Sequence, residues 1–281
     1  MTLELTTDEQ KEFEKLLGSG ITLPAQPGIM LEIEHMIHSP KVRMDALAKL
    51  ISNDTALTAI IFKIIGSPIY GLSNQINSVE KAISLIGLTQ LGTVVKSAAL
   101  RQSISGAEPF YEWFWEHSGE IAQLCSIIAY KQRSVCNIYA DEAQLAGLFH
   151  DCGVPLLMRR FPEYCKSFRL ADGRKWPNVV MEDHALNTDH AVVGYLIARH
   201  WNLPDFVCQA VRFHHEILHT EHRATTMVAI LQMARHIYNV YRNADDSEWE
   251  ANHQQVLEEI GIGQKGLSDF EEDVYDMLKN S

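Results

Sequence analysis

The sequence is short of positive charge. It carries 24 lysines and arginines against 36 aspartates and glutamates, a formal net charge of -12. An acidic chain repels phosphate backbones, which argues against nucleic acid as a partner. With no long basic run it also lacks a grip on an anionic membrane surface. Long apolar runs are missing too. The longest, ALTAIIFKII (Ala56 to Ile65), is interrupted by Lys63 and is too short to span a bilayer. The opening MTLELTTDEQKEFEKLLGSG places acidic residues where a signal peptide needs a basic start and an apolar middle. These absences predict a cytoplasmic protein without a membrane partner. Cysteine is scarce and scattered: Cys125, Cys136, Cys152, Cys165 and Cys208 form no C-x-x-C pair. Reduced core thiols are therefore expected, not a disulfide framework or a structural zinc knuckle.

No stretch sustains the two-residue alternation of a half-buried strand, and no repeat or low-complexity segment interrupts the chain. Helical signals fill it instead. TTDEQKEFEKLLGSG opens on a threonine cap and closes at glycine. Pro27 suits a first helical turn, and Pro40 follows that helix. Asp54 is a candidate cap and Gly66 a candidate stop, and Gly87 should break the run 77–100 into two short helices. A long helix with a wide apolar face is expected from Pro109, followed by helices over 141–158, 162–170, 188–201, 204–215, 225–241, 248–260 and 268–278. The prediction is an all-α protein with two lobes, 21–105 and 109–215, hinged at ISGAEP (Ile104 to Pro109). The first 20 residues form a preceding helix, and helices over 216–281 complete or extend the second lobe. The acidic tail, with Val256, Leu257, Ile260, Phe270, Val274, Tyr275 and Leu278 at helical spacing, is expected to pack; it is also a candidate surface for a homodimer or another partner.

Histidine is abundant, with 13 in the chain. His117 lies in FWEHSGE, His150 and Asp151 in LAGLFHDCGVPLL, His190 in TDHAVVG, and His214 with His215 in RFHHEI. Imidazole and carboxylate together suit divalent metals such as zinc, iron, nickel or manganese. A bound metal of this kind can polarise a phosphoryl oxygen. Neighbouring helical residues point about 100° apart, so His150 and Asp151 can face different positions. The competing reading is structural: Asp151 accepts hydrogen bonds from His190 or His214 and ties several helices together. PFYEWFWEH packs Phe110, Tyr111, Trp113, Phe114 and Trp115 into a core-facing stripe or a ligand platform, with the stripe the simpler reading. Arg159 and Arg160 could grip a phosphate, or simply make surface ion pairs.

The order of these phrases resembles the HD superfamily of metal-dependent phosphohydrolases, with the extra histidines of its HD-GYP branch. It more closely resembles the HDOD family, the HD-related output domains of bacterial signalling proteins. LPAQPGIMLEIEHMIHSPKVRMDALAKLISNDTALTAIIFKIIGSPIYG and INSVEKAISLIGLTQLGTVVKSAAL carry the first half of that likeness. FWEHS, LAGLFHDCGVPLL and DHAVVGYLIARHWNLPDFVCQAVRFHH carry the second, so it spans Ile21 to His215. The resemblance implies an HD-like helical bundle. It also implies that His117, His150, Asp151, His190, His214 and His215 are candidate ligands for a divalent metal (iron, zinc, manganese, nickel or magnesium), with His150 and Asp151 catalytic if the site is active. Three features depart from active HD enzymes. The stretch from His222 to Ala244 holds no Asp or Glu, and Arg235 stands where a last carboxylate is expected. Val154 follows Gly153 where a lysine is common, and no GYP phrase follows HHE. Asp189, Glu216 or Glu221 could supply a ligand from elsewhere. The resemblance thus implies a signalling output module working through contacts with other signalling proteins. A metal-dependent phosphohydrolase acting on a nucleotide or phosphoester is the alternative.

Overall fold

The computed structural model describes residues 20–65, 78–104, 109–168, 176–217, 222–244 and 246–280, with positions 11, 14–16, 18, 76 and 106. The stop predicted at Gly66 and the residue Glu221 lie outside this set, as does most of the predicted N-terminal helix. The described residues form α-helices joined by turns and contain no strand. The chain divides into two compact units, one of Met1–Leu23 with Gly106–Val274, the other of Pro24–Ser105 with Tyr275–Ser281.

The second unit holds α1 (Gly28–Ile37), α2 (Met44–Ser52), α3 (Thr55–Ile65) and α4 (Val79–Ser103). Apolar residues three and four apart bury Met30 and Ile33 on α1, and Leu47, Ala48 and Ile51 on α2. Asp54 caps α3, accepting from the backbone of Leu57 at 2.9 Å. Ser78 does the same for Lys81 on α4 at 3.2 Å. Lys96 reaches from α4 to Glu34 on α1 at 2.9 Å. By length and composition α4 could cross a membrane, with 25 residues and a mean hydropathy of 1.4 in its most apolar window. Gly87, at φ 80° and ψ 167°, breaks it, as the sequence predicts. Neither half then reaches the roughly 20 continuous residues a bilayer needs, and Ile83, Leu91, Val94 and Leu100 are buried inside the protein.

The larger unit contains α5 (Pro109–Lys131), α6 (Arg133–Cys136), α7 (Ala140–Phe149), α8 (Val154–Arg160), α9 (Tyr164–Ser167), α10 (Val179–Leu186), α11 (His190–His200), α12 (Asp205–Phe213), α13 (His222–Arg242), α14 (Ser247–Glu259) and the start of α15 (Leu267–Lys279). Its centre is the pair α5 and α7, which lie against each other along their length. A β-carbon on Gly147 of α7 would stand 2.6 Å from Cα of Ala122 on α5, so glycine permits this approach. Tyr111, Phe114 and Trp115 are buried, which favours the core-stripe reading of the aromatic run. Val256, Leu257, Ile260 and Val274 are buried as expected for a packed tail.

The helix predicted over 141–158 is in fact two. It stops at Phe149 and restarts at Val154, and His150 and Asp151 sit in the turn between. Pro155, lacking a backbone N–H, belongs in a first turn and suits this restart. The break turns both side chains inward instead of spreading them around a continuous helix.

Candidate metal centre

Helix ends converge on one point in the larger unit. His150 and Asp151 leave the C-terminus of α7, and His190 is the first residue of α11, whose cap is Asp189. His214 and His215 follow α12, and His117 comes from the middle of α5. These six residues are at most 8% exposed, and His150, Asp151, His190 and His214 are fully buried.

Each of four imidazoles is oriented through Nδ1. His150 Nδ1 donates to the Gly147 carbonyl at 2.6 Å, and His214 Nδ1 to the Val211 carbonyl at 2.8 Å. His190 Nδ1 donates to Glu182 Oε2 at 2.5 Å, and His215 Nδ1 to Glu248 Oε1 at 2.7 Å. A neutral ring whose proton is on Nδ1 presents a lone pair at Nε2. All four Nε2 atoms then face one another or Asp151. His150 Nε2 lies 2.9 Å from Asp151 Oδ2, while His214 and His190 Nε2 lie 3.1 and 3.3 Å from Oδ1. His190 Nε2 and His215 Nε2 are 2.8 Å apart.

Those separations are close, yet both Asp151 oxygens and the Nε2 atoms of His150 and His214 lack hydrogen-bond geometry, as does His117 Nδ1. Buried polar atoms are normally paired. A cluster of acceptors aimed at each other is what a cation resolves. The spacing agrees: ligand atoms about 2.1 Å from a metal stand about 3 Å apart at right angles. Ligand atoms of Asp151, His190, His214 and His215 lie within 4.8 Å of one another, as do those of His117, His150 and Asp151. The donor set therefore fits a metal on its own geometry.

Electrostatics point the same way. Burial lowers His117 to about 3 and His214 to about 4, against the pull of Asp151, so both rings stay neutral. Burial also takes His215 well below the usual range. Burial lowers His190 too, but Glu182 and Asp151 outweigh it and lift it to about 10. Asp151 is raised by burial, yet the surrounding histidines hold it well below its ordinary value. Without a cation, a single proton at His190 meets only part of the acceptor cluster.

Several supporting groups carry no mark in the sequence. Glu182 of α10 accepts from the backbone N–H and Nδ1 of His190, and from the Tyr164 hydroxyl. Glu248 of α14 holds His215 with one oxygen and Arg235 with the other, at 2.7 Å. Gln232 Nε2 donates to the His214 carbonyl at 3.1 Å. The His117 ring is stacked on Trp176 at 4.3 Å and meets the edge of Tyr238 at 4.6 Å.

Two sequence expectations need correction. Asp189 is not in the cluster; its side chain caps α11 by accepting from Val192 at 2.8 Å. Glu216 is exposed and also lies outside it. Arg235, expected to face the metal position, is turned to Glu248, with its nearer approach to the cluster being 3.5 Å from His215 Nδ1. Arg159 and Arg160 are exposed on α8, consistent with surface residues.

Residues 23–217 match the HDOD domain. The chain belongs to the HDOD family. Arg235 and Glu248 lie beyond the matched residues. A curated relative, an uncharacterised protein of Treponema pallidum, is 24% identical over 233 residues, 83% of this chain and 45% of that protein. The chain thus spans less than half the length of that relative. An HDOD domain protein of unknown function from Geobacter sulfurreducens superimposes with a TM-score of 0.69 at 23% identity, covering 97% of this chain and 96% of that one. A Shewanella amazonensis protein provisionally named a metal-dependent phosphohydrolase gives a TM-score of 0.71 at 20% identity, covering 98% and 99%. A Marinobacter aquaeolei protein provisionally named a signal transduction protein gives 0.74 at 19%, covering 99% of this chain and 66% of that one. At these identities the structural likeness establishes the HDOD fold.

Proposed function

We propose that this HDOD chain is a signal-transduction output module that works through contacts with other signalling proteins or a second copy of itself, and that its His/Asp cluster holds a divalent metal as a closed structural centre. The observation that carries this reading is the enclosure of the donors. His117, His150, Asp151, His190, His214 and His215 are all buried and all come from the protein. Structural metal sites are closed by protein ligands, whereas catalytic ones keep a position open. Five imidazoles with a single carboxylate suit zinc, iron, nickel or manganese and suit magnesium poorly, since magnesium favours oxygen. The chain's negative charge speaks against nucleic acid, and a cytoplasmic setting fits this role.

One feature favours a second reading, a metal-dependent phosphohydrolase. A cavity of about 470 Å³ is lined in part by Trp176, Gln232, Arg235, Glu248 and Trp249, which include outer contacts of His214 and His215 but none of the six candidate donors. A metal held by the cluster would supply Lewis acidity towards a phosphoester. The chain's own residues would hold the ligand: the tryptophans offer ring faces and Arg235 a cationic fork.

Elemental analysis of untagged protein, with hydrolysis assays on aryl and cyclic-dinucleotide phosphoesters, separates the two. Bound metal that disappears in His150→Ala, with no turnover in either protein, is the expected outcome. Turnover lost in parallel with the metal would establish the hydrolase. Metal-free protein inert in every assay would sink the metal in both readings.

The outer contacts give a further prediction. Glu182→Gln leaves the volume intact but weakens the acceptor that orients His190. Second-sphere changes of this type lower metal affinity by roughly 10- to 100-fold. Competition against a chromophoric chelator measures it, and an unchanged affinity would mean that Glu182 does not set the ring.

A further inference from the structure

The cavity of about 470 Å³ has the size of a small-molecule site, which typically spans roughly 300–1,000 Å³. Trp176, Trp249 and Phe168 give it aromatic surface, with Pro177 and Met181 beside them. Each tryptophan is packed from one side. The Trp176 ring stacks on His117 at 4.3 Å, and its other aromatic neighbours, Trp113 and Phe114, come from the same helix, α5. The Trp249 ring stacks on His236 at 3.8 Å, with 10° between the ring planes. Both indoles remain half-buried, so these partners do not enclose them. An indole left partly open at a cavity wall is a stacking surface for a flat ring.

The polar lining says what kind of ring. Among the described residues, the charged groups of the cavity are already engaged. Arg235 donates to Glu248 at 2.7 Å, while Asp246 accepts from Asn239 at 3.0 Å and pairs with His236. Two neutral groups are not. Gln232 is 5% exposed and gives its Nε2 to the His214 carbonyl, yet its Oε1 is buried without a partner. Trp176 Nε1 is a buried donor without an acceptor. Such atoms are normally satisfied. One calls for a donor and the other for an acceptor. A flat nitrogen heterocycle bearing a ring N–H and a ring carbonyl supplies both and carries no charge.

We propose that this cavity binds an uncharged heteroaromatic lactam, the chemistry of an oxopurine or oxopyrimidine base. Trp176 and Trp249 stack on the ring, and Gln232 Oε1 and Trp176 Nε1 read its polar atoms. None of the six candidate metal donors lines the cavity, so binding requires neither a metal nor turnover. The ligand's role as a small-molecule signal rests on the output-module reading above; its binding does not.

Calorimetric titration of the purified chain with inosine and with uridine tests this, with 1-methylinosine and 3-methyluridine as controls. At least one of the two nucleosides is expected to bind once per chain, with a dissociation constant below about 1 mM. Methylation replaces the ring N–H that Gln232 Oε1 accepts, and should weaken binding by about fivefold or more. Trp249→Ala should weaken it by a similar factor, since a stacking surface is lost. The methylated ligands need no variant, so the test stands even where Trp249→Ala does not fold. Absence of binding by both nucleosides would overturn the proposal. Equal binding of the methylated forms would overturn the lactam class. Undiminished affinity in a folded Trp249→Ala protein would remove the ligand from this cavity. Elemental analysis of the same preparation scores the metal separately, so neither failure implies the other.

Discussion

Asp151→Asn is expected to abolish metal-dependent stabilisation and, once metal is stripped from both proteins, to melt higher than wild type. The first effect follows from charge. Asp151 is the single carboxylate among the donors and belongs to both donor sets. A ligand present at 100 to 1,000 times its dissociation constant stabilises the folded state by about 2.7 to 4.1 kcal/mol, and a neutral amide forfeits most of this. The second effect has the opposite sign. Without a cation, the carboxylate oxygens face the Nε2 atoms of His150 and His214 with no hydrogen bond formed. An asparagine amide offers two N–H donors to such lone pairs. Satisfying a buried polar group is worth about 1–3 kcal/mol, or several degrees in melting temperature. Thermal melts with chelator and with added zinc measure both. A metal-free variant that melts lower than wild type would show that Asp151 is a structural tie held by imidazolium charge, the competing reading of this residue.

What the sequence disclosed and what it hid divide along physical lines. The all-α class was legible because 3.6-residue periodicity and capping residues are local, as at Asp54, Ser78 and Gly87. The inner histidines were legible as a set through their order and their likeness to the HDOD family. Their companions were not. Glu182 and Glu248 are ordinary surface-type residues in polar stretches, and only the packing of α10 and α14 brings them to His190 and His215. The direction of Arg235 was equally hidden, because its partner Glu248 arrives from the next helix. The break between α7 and α8 is equally hidden: apolar periodicity runs through it, and Pro155 can be accommodated wherever a new first turn begins.

The break also explains the residue with the least freedom in the site. Gly153→Ala is expected to destabilise the chain by about 3 kcal/mol or more and to reduce metal affinity with it. Gly153 has an ordinary right-handed conformation, φ -70° and ψ -31°, so backbone torsion does not demand glycine. Close approach does. A β-carbon there would stand 2.1 Å from the His190 carbonyl oxygen and 2.9 Å from the Gly194 nitrogen. These are backbone atoms of α11, which cannot rotate aside as a side chain can. Overpacking of a well-filled core costs about 1–3 kcal/mol and sometimes more, and a clash this deep belongs at the upper end. The only relief is to move the start of α11 away from the turn that carries Asp151. That motion draws His190 off both Asp151 and His215, so stability and metal binding must fall together. Gly92→Ala is the control: it lies within α4 in the other unit, with nothing within 4 Å of the new carbon. It should be neutral or stabilise by about 0.5–1 kcal/mol. Denaturant unfolding paired with zinc competition compares the two variants. Wild-type affinity in a folded Gly153→Ala protein would mean that α11 does not owe its position to this contact.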